Sequence, residues 1–147
     1  MKKILVAIDG SDHAKKAIEL ASDLAVTHDA ALSLVHVVRE EEPPEGAIEF
    51  IREERIEGPP EQVYMEMAGR DIIENSKKVA ETKGVKNIHS TVLAGDPVEK
   101  ITEFAEKSDV DAIFLGNRGL GGLRGLMLGS VSSRVCHQTD RTCVKVR

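Results

Sequence analysis

Short apolar runs alternate with helical patterns along most of the chain. The runs have the length of β-strands and are bounded by turn-forming residues. Between them, apolar residues recur at helical spacing, and Ser11 supplies a cap for the first helix. Strands that alternate with helices in this way predict a parallel sheet with helices on both faces. The predicted strands are residues 3–9, 31–38, 88–93, 110–115 and 142–146, and the predicted helices are residues 11–28, 62–83, 96–107 and 130–138.

A doubly wound, five-stranded α/β sheet is the natural arrangement of these elements. Right-handed crossovers leave few topologies, and they favour the strand order 3-2-1-4-5. Strands 1 and 4 are then neighbours, and the chain reverses direction between them. Ligands of such sheets bind outside the carboxyl ends of the strands at this switch point. Because Asp9 and Gly116 end these two strands, we expect both to face one crevice.

One connection interrupts the alternation. Residues 39–61 hold nine glutamates and four of the five prolines of the chain. This composition predicts a solvated connection, in which Ile48, Phe50 and Ile51 could hold a short helix. The 147 residues have the length of one domain, so we expect a single domain over residues 1–147.

Charge and composition exclude several classes of protein. The net charge of −5 argues against a general nucleic-acid binder, because phosphate contacts need a clustered basic surface. No apolar run approaches the ~20 residues of a membrane-spanning helix. Cys136 and Cys143 form neither a CxxC motif nor a disulfide framework. We therefore expect two reduced thiols in a cytoplasmic protein.

A glycine-dense run follows the fourth predicted strand. Six of the twelve glycines lie within residues 116–129, and Ser130 opens the next helix. Glycine lets the backbone approach a ligand closely, and a helix N-terminus presents unpaired N–H groups to an anion. The run therefore predicts a phosphate-binding loop. It lacks the lysine of a P-loop and the spacing of a dinucleotide-binding loop, and the scarcity of aromatic residues argues against a flavin.

The spacing Gly-x2-Gly-x9-Gly-Ser, at Gly116, Gly119, Gly129 and Ser130, resembles the universal stress protein family in its ATP-binding branch. The resemblance implies a Rossmann-like fold, similar to that of the adenine nucleotide alpha hydrolases. It implies ATP, ADP or AMP as the ligand, with Mg²⁺ or Mn²⁺ bound mostly by phosphate oxygens. Further segments that resemble the family are residues 3–11, 34–38 and 95–99, so the likeness spans nearly the whole chain.

The resemblance also implies roles for single residues. Asp9 matches the strand-1 aspartate beside the phosphates and any bound metal, and Val37 matches the strand-2 position whose backbone meets the adenine. Gly116 and Gly119 match the glycines under the ribose and phosphates, and residues 129–131 match the segment that holds the phosphates. The implied nucleotide-binding set is Ala7, Asp9, Val37, Gly116, Arg118, Gly119, Gly129, Ser130 and Val131, with Asp9 as the candidate metal ligand and no catalytic residue.

Plainer interpretations stay open beside these roles. Asp9 could simply cap the first loop, and Arg118 is as well explained by a solvated loop arginine as by a ligand contact. His13 lies in the first turn of the helix after Asp9 and could approach the γ-phosphate, but we expect it on the surface. His36 lies inside a predicted strand, where packing is the better interpretation.

The resemblance further implies a homodimer through the last strand, where an exposed edge can pair across a two-fold axis. Thr142 replaces the usual proline and Lys145 interrupts the apolar run, so the dimer geometry stays open.

The implied function is nucleotide-dependent regulation in a stress response, with an unidentified protein partner. Two alternatives are a slow metal-dependent ATP hydrolase or phosphotransferase, which lacks an evident general base beyond Asp9, and a nucleotide-free dimeric scaffold, which the complete glycine pattern disfavours.

Overall fold

The computed structural model of the chain describes residues 1–39, 43–117 and 130–147, and of Ser130 the backbone alone. Strands and helices alternate through these ranges, as predicted. The strands are β1 (Lys3–Ile8), β2 (Ala31–Val38), β3 (Ile88–Ala94), β4 (Ala112–Gly116) and β5 (Thr142–Val146). The helices are α1 (Asp12–His28), α2 (Glu45–Glu53), α3 (Pro60–Thr82), α4 (Pro97–Lys107) and α5 (Ser130–Gln138).

The five strands form one parallel sheet in the order β3-β2-β1-β4-β5. This order confirms the predicted doubly wound topology. β1 lies at the centre, where Ala7 pairs with Val35 of β2 on one side and with Leu115 of β4 on the other. The chain therefore winds outward in both directions from β1, and the switch point lies between β1 and β4.

Both faces of the sheet are buried, which explains why the central strands have continuous apolar sequences. Successive side chains of a strand point to opposite faces. In β1, Ile4 and Val6 pack with residues of α1 and α3, whereas Leu5 packs with residues of α4 and α5. All three side chains are fully buried. We call the face of the sheet that packs against α1 and α3 the α1/α3 face, and the opposite face the α4/α5 face.

Polar caps begin two of the helices where the sequence predicts them. The Ser11 hydroxyl accepts a hydrogen bond from the Ala14 N–H at 3.1 Å, and the Asp96 carboxylate accepts one from the Glu99 N–H at 3.0 Å. Each satisfies an N–H group that has no partner within its helix. Within the parts of the chain that the structure describes, no helix is both long and apolar enough to cross a membrane.

The glutamate-rich connection contains a helix, α2, that packs against α3. Ile51 is 2% exposed and anchors it, whereas Phe50 is 51% exposed and contributes little to the contact. The predicted short helix is thus present, and Ile51 is its one fully buried residue.

The expectation of two reduced thiols is wrong, because Cys136 and Cys143 form a disulfide. The chain turns back after α5, so that the start of β5 lies beside the last turn of that helix. The two Cα atoms come within 5.4 Å of each other, a separation that suits a disulfide. A seven-residue spacing reveals this proximity only when the turn between helix and strand is known.

Candidate functional site

The carboxyl ends of β1 and β4 lie side by side at the switch point of the sheet. Because Ala7 pairs with Leu115, the residues that follow, Asp9 and Gly116, leave the sheet at the same edge. Open α/β sheets bind ligands at this position. This edge is therefore the candidate site, and its chemistry depends on what the two strand ends carry.

At the end of β1, a tight turn directs α1 toward this edge. The Asp9 carboxylate accepts a hydrogen bond from the Ser11 N–H at 2.9 Å. Gly10 has a φ of 81°, a conformation that glycine adopts without steric cost. Ser11 then caps α1. The turn thus brings the positive end of the α1 dipole to the candidate site, together with a carboxylate held by the backbone.

At the end of β4, Gly116 lies directly against the first turn of α1. A methyl group placed on its Cα would lie 2.8 Å from the Ala14 nitrogen and 2.8 Å from both the carbonyl carbon and the Cβ of His13. Such distances are too short for any side chain, so the strand and the helix can approach this closely only at a glycine. Close packing to α1 is therefore one reason for glycine at this position, whatever ligand the site holds.

Three apolar residues of the predicted set share one face of the sheet. Ala7, Val37 and Val131 are partly buried and pack against the core of the α4/α5 face. They come from β1, β2 and the first turn of α5. The structure thus places an apolar border along the α4/α5 side, from the end of β2 to the start of α5.

Two histidines near this edge have environments that the sequence does not disclose. The His36 Nδ1 lies 2.8 Å from the Ile8 carbonyl oxygen. Since a carbonyl can only accept, Nδ1 carries the hydrogen and donates it. His13 is half-buried instead of exposed, and its Nδ1 is a buried atom with no hydrogen-bond partner among the described residues. The expected surface position of His13 is therefore wrong.

Part of the predicted set lies outside the described residues: Arg118, Gly119, Gly129 and the side chain of Ser130. Within the described ranges, no three His, Cys, Asp or Glu side chains lie close enough together to hold a metal ion.

The chain belongs to the universal stress protein family, which it matches over residues 1–147. The universal stress protein YxiE of Bacillus subtilis is 40% identical over 137 residues, and the match covers 90% of each chain. The family match spans all the elements that build the candidate site.

Solved structures of the family share the fold. A universal stress protein crystallised in complex with cAMP superposes with a TM-score of 0.74 at 22% identity, covering 99% of this chain and 96% of that one. The Archaeoglobus fulgidus universal stress protein in complex with dAMP has a TM-score of 0.70 at 18% identity, with 100% and 98% covered. These likenesses confirm the parallel sheet with its 3-2-1-4-5 order.

Proposed function

We propose that this chain is an ATP-binding regulatory protein of a stress response, built as one domain, with its nucleotide at the carboxyl edge between β1 and β4. The observation that carries the proposal is the juxtaposition of the Asp9–Ser11 turn with Gly116 at the switch point. Relatives of the same fold bound to cAMP and dAMP support an adenine nucleotide as the ligand. Binding would change the segment after β4, which could alter a surface for a protein partner.

The shared α4/α5 face supports an orientation for the nucleotide. The adenine would lie near Ala7 and the backbone of Val37, and the phosphates would reach residues 129–131 at the start of α5. A helix N-terminus suits an anion, since its first N–H groups have no partner within the helix. In this orientation the ligand crosses the end of β1, beside Asp9.

Asp9 would serve as the protein ligand of a Mg²⁺ or Mn²⁺ ion bound by the phosphates. Such an ion neutralises phosphate charge when it is bound. Without the ion, a carboxylate beside the phosphates would repel them. Asp9 should therefore strengthen ATP binding when the metal ion is present and weaken it when the ion is absent. This reversal tests the proposal.

The test compares Asp9→Asn with the wild-type protein in calorimetric titrations with ATP. Asparagine can still accept the hydrogen bond from the Ser11 N–H, so the turn is kept and the charge alone is lost. With Mg²⁺ we expect the variant to bind roughly tenfold more weakly, and with EDTA at least as tightly as the wild type. Asp29→Asn, at the exposed C-terminal end of α1, is the matched control and should leave both affinities unchanged.

Failure of ATP, ADP and AMP to bind the wild-type protein at millimolar concentration would refute the proposal. Chromatography of the nucleotide recovered from the titrations tests the hydrolase alternative in the same samples. We expect intact ATP, and metal-dependent conversion to ADP well above background would favour the enzyme instead.

We propose a homodimer that pairs through β5. The support is the position of β5 at the end of the described sheet, next to β4. An edge strand presents backbone N–H and C=O groups that a second copy can pair with. Lys145 is exposed on this strand, so such a dimer must accommodate its positive charge. Sedimentation velocity is expected to give a dimer, and a monomer at micromolar concentration would contradict it.

A further inference from the structure

We propose that Cys136 and Cys143 form a reversible thiol–disulfide site, which reacts with low-molecular-weight thiols of the glutathione type and determines how firmly α5 is held to β5. The disulfide joins the last turn of α5 to the second residue of β5. These elements have different neighbours, since α5 packs on α4 and β5 pairs with β4. The bond is therefore a covalent link between a helix and the edge of the sheet.

The surroundings of the pair favour exchange with anionic thiols. Both cysteines are half-buried, not fully buried. Residues 134–147 contain four lysines and arginines against one acidic residue, Asp140, in a chain whose net charge is −5. Arg141 is partly neutralised by Asp109, at 2.7 Å. The net positive charge of this segment attracts an anionic reactant such as glutathione.

The turn between the cysteines has hydrogen bonds that do not depend on the disulfide. The Thr139 N–H donates to the Val135 carbonyl at 3.0 Å, and the Arg141 N–H donates to the Thr139 hydroxyl at 3.1 Å. These bonds would keep the two thiols close together after reduction. A disulfide that closes a short ring also stabilises the folded chain less than one that closes a long ring. Both features favour a bond that opens and closes without unfolding of the chain.

The reaction is a pair of thiol–disulfide exchanges. A glutathione thiolate attacks one cysteine sulfur, the Sγ–Sγ bond breaks, and the other cysteine leaves as a thiolate that takes up a proton. A second glutathione thiolate attacks the mixed disulfide and releases the remaining cysteine. The protein disulfide is thereby reduced to two thiols, and two glutathione molecules are oxidised to glutathione disulfide.

The first experiment equilibrates the whole chain in buffers of increasing reduced-to-oxidised glutathione ratio. Free thiols are then alkylated and counted by mass spectrometry. We expect the fraction of disulfide-bonded chains to fall from above one half to below one half across the series. Each buffer should give the same fraction whether the starting protein is oxidised or reduced. A chain that stays bridged in every buffer, or one that never bridges, would overturn the proposal. Cys136→Ser and Cys143→Ser are the controls, since each keeps one thiol and removes the bridge.

The second experiment measures amide hydrogen exchange of both forms. On reduction, we expect exchange within residues 131–146 to accelerate by about tenfold or more, and exchange in β1 to change by less than about twofold. The two single-serine variants should match the reduced form. Equal protection of residues 131–146 in both forms would show that the bond does not control α5, and would overturn that part of the proposal.

A third measurement rests on the proposed function, because α5 begins at the segment assigned to the phosphates. If ATP binds, we expect reduction to weaken its affinity several-fold, to the level of the serine variants. If no nucleotide binds to either form, the proposed function fails, while the thiol counts and the hydrogen exchange still decide the redox proposal. Identical ATP affinities of both forms would overturn the coupling of this site to the nucleotide.

Discussion

The two edges of the sheet are built on opposite plans. At the amino edge, where β1 and β4 begin, polar side chains are paired with backbone groups of the neighbouring chain segments. At the carboxyl edge, the strands end in glycine-containing turns and the N-terminus of a helix. The polar groups of the amino edge form hydrogen bonds within the chain. The carboxyl edge instead brings the Asp9 turn and the N-terminus of α1 together.

Asp111 is the centre of the amino edge. One of its carboxylate oxygens accepts hydrogen bonds from the Lys2 N–H at 2.6 Å and the Lys3 N–H at 2.8 Å. The Lys3 ammonium donates to the Ser108 carbonyl, and Arg141 donates to both Asp109 and the Val110 carbonyl. Polar contacts thus fasten the start of β1 to the start of β4.

The carboxyl edge depends on close approach instead of polar pairing. Gly116 touches the first turn of α1, and His36 holds the last carbonyl of β1. The contrast teaches that the same strands are held by polar pairing at one end and by close packing at the other. Substitutions at the amino edge should then change stability alone, and substitutions at the carboxyl edge should change both stability and binding.

The largest effect is expected from Gly116→Ala. The added methyl group would overlap the backbone of α1, and relief by a backbone shift should cost about 1–3 kcal/mol in the free energy of unfolding. ATP affinity should fall roughly tenfold, because the shift moves the strand end and the helix end together. Urea unfolding and calorimetry measure the two effects.

Gly46→Ala is the matched control, because the same methyl group meets no atom within 4 Å in α2. Here we expect unchanged affinity and an unfolding free energy that is equal or higher by up to about 1 kcal/mol, since alanine favours a helix. The same loss of stability in both variants would contradict the close-contact argument at Gly116.

A smaller effect is expected from His36→Leu. The leucine cannot donate to the Ile8 carbonyl, and an acceptor without its partner costs about 1–3 kcal/mol when buried, less when half-buried. Because Ile8 directly precedes Asp9, we also expect a several-fold loss of ATP affinity. His36→Asn places an N–H donor near the position of Nδ1 and should restore most of both losses. Equal losses in the two variants would show that the imidazole acts by packing alone.

The smallest effect belongs to the amino edge and depends on pH. Hydrogen bonds from the backbone N–H groups of Lys2 and Lys3 lower the pKa of Asp111 below its ordinary value of 3.8. The folded state therefore favours the carboxylate, and this stabilisation is present above the unfolded-state pKa and is lost as the pH falls through the folded-state pKa.

Asp111→Asn should accordingly be slightly less stable than the wild type near neutral pH, and the difference should shrink below about pH 4. Urea unfolding across this pH range measures it, with the exposed Asp71→Asn as the control. ATP affinity at neutral pH should not change. A loss of affinity in Asp111→Asn would break the division between the two edges.

Much of this fold follows from the sequence because its signals are local. The continuous apolar runs of β1 and β4 reflect burial on both faces, and Ser11 and Asp96 mark their helix starts through side chains that reach only three residues along the chain. With strands and helices in alternation, the handedness of the crossovers leaves the 3-2-1-4-5 order as the natural one. The neighbouring positions of Asp9 and Gly116 follow from that order.

The features that the sequence missed depend on how closely segments approach each other in three dimensions. The disulfide forms because the chain reverses between Cys136 and Cys143, and the predicted helix and strand bounds do not determine how closely the two cysteines approach. His13 is half-buried because β4, a hundred residues away in sequence, ends against it. Local patterns carry no information about such distances.

The close approach of Gly116 to α1 has a consequence for comparing sequences within this family. A relative that has lost its nucleotide would still need glycine at this position, or a displaced first helix, to keep the same packing. Glycine at position 116 is therefore a poor marker for sorting relatives into nucleotide-dependent and nucleotide-independent groups. Such a classification should instead give most weight to positions whose residue type the packing does not already explain.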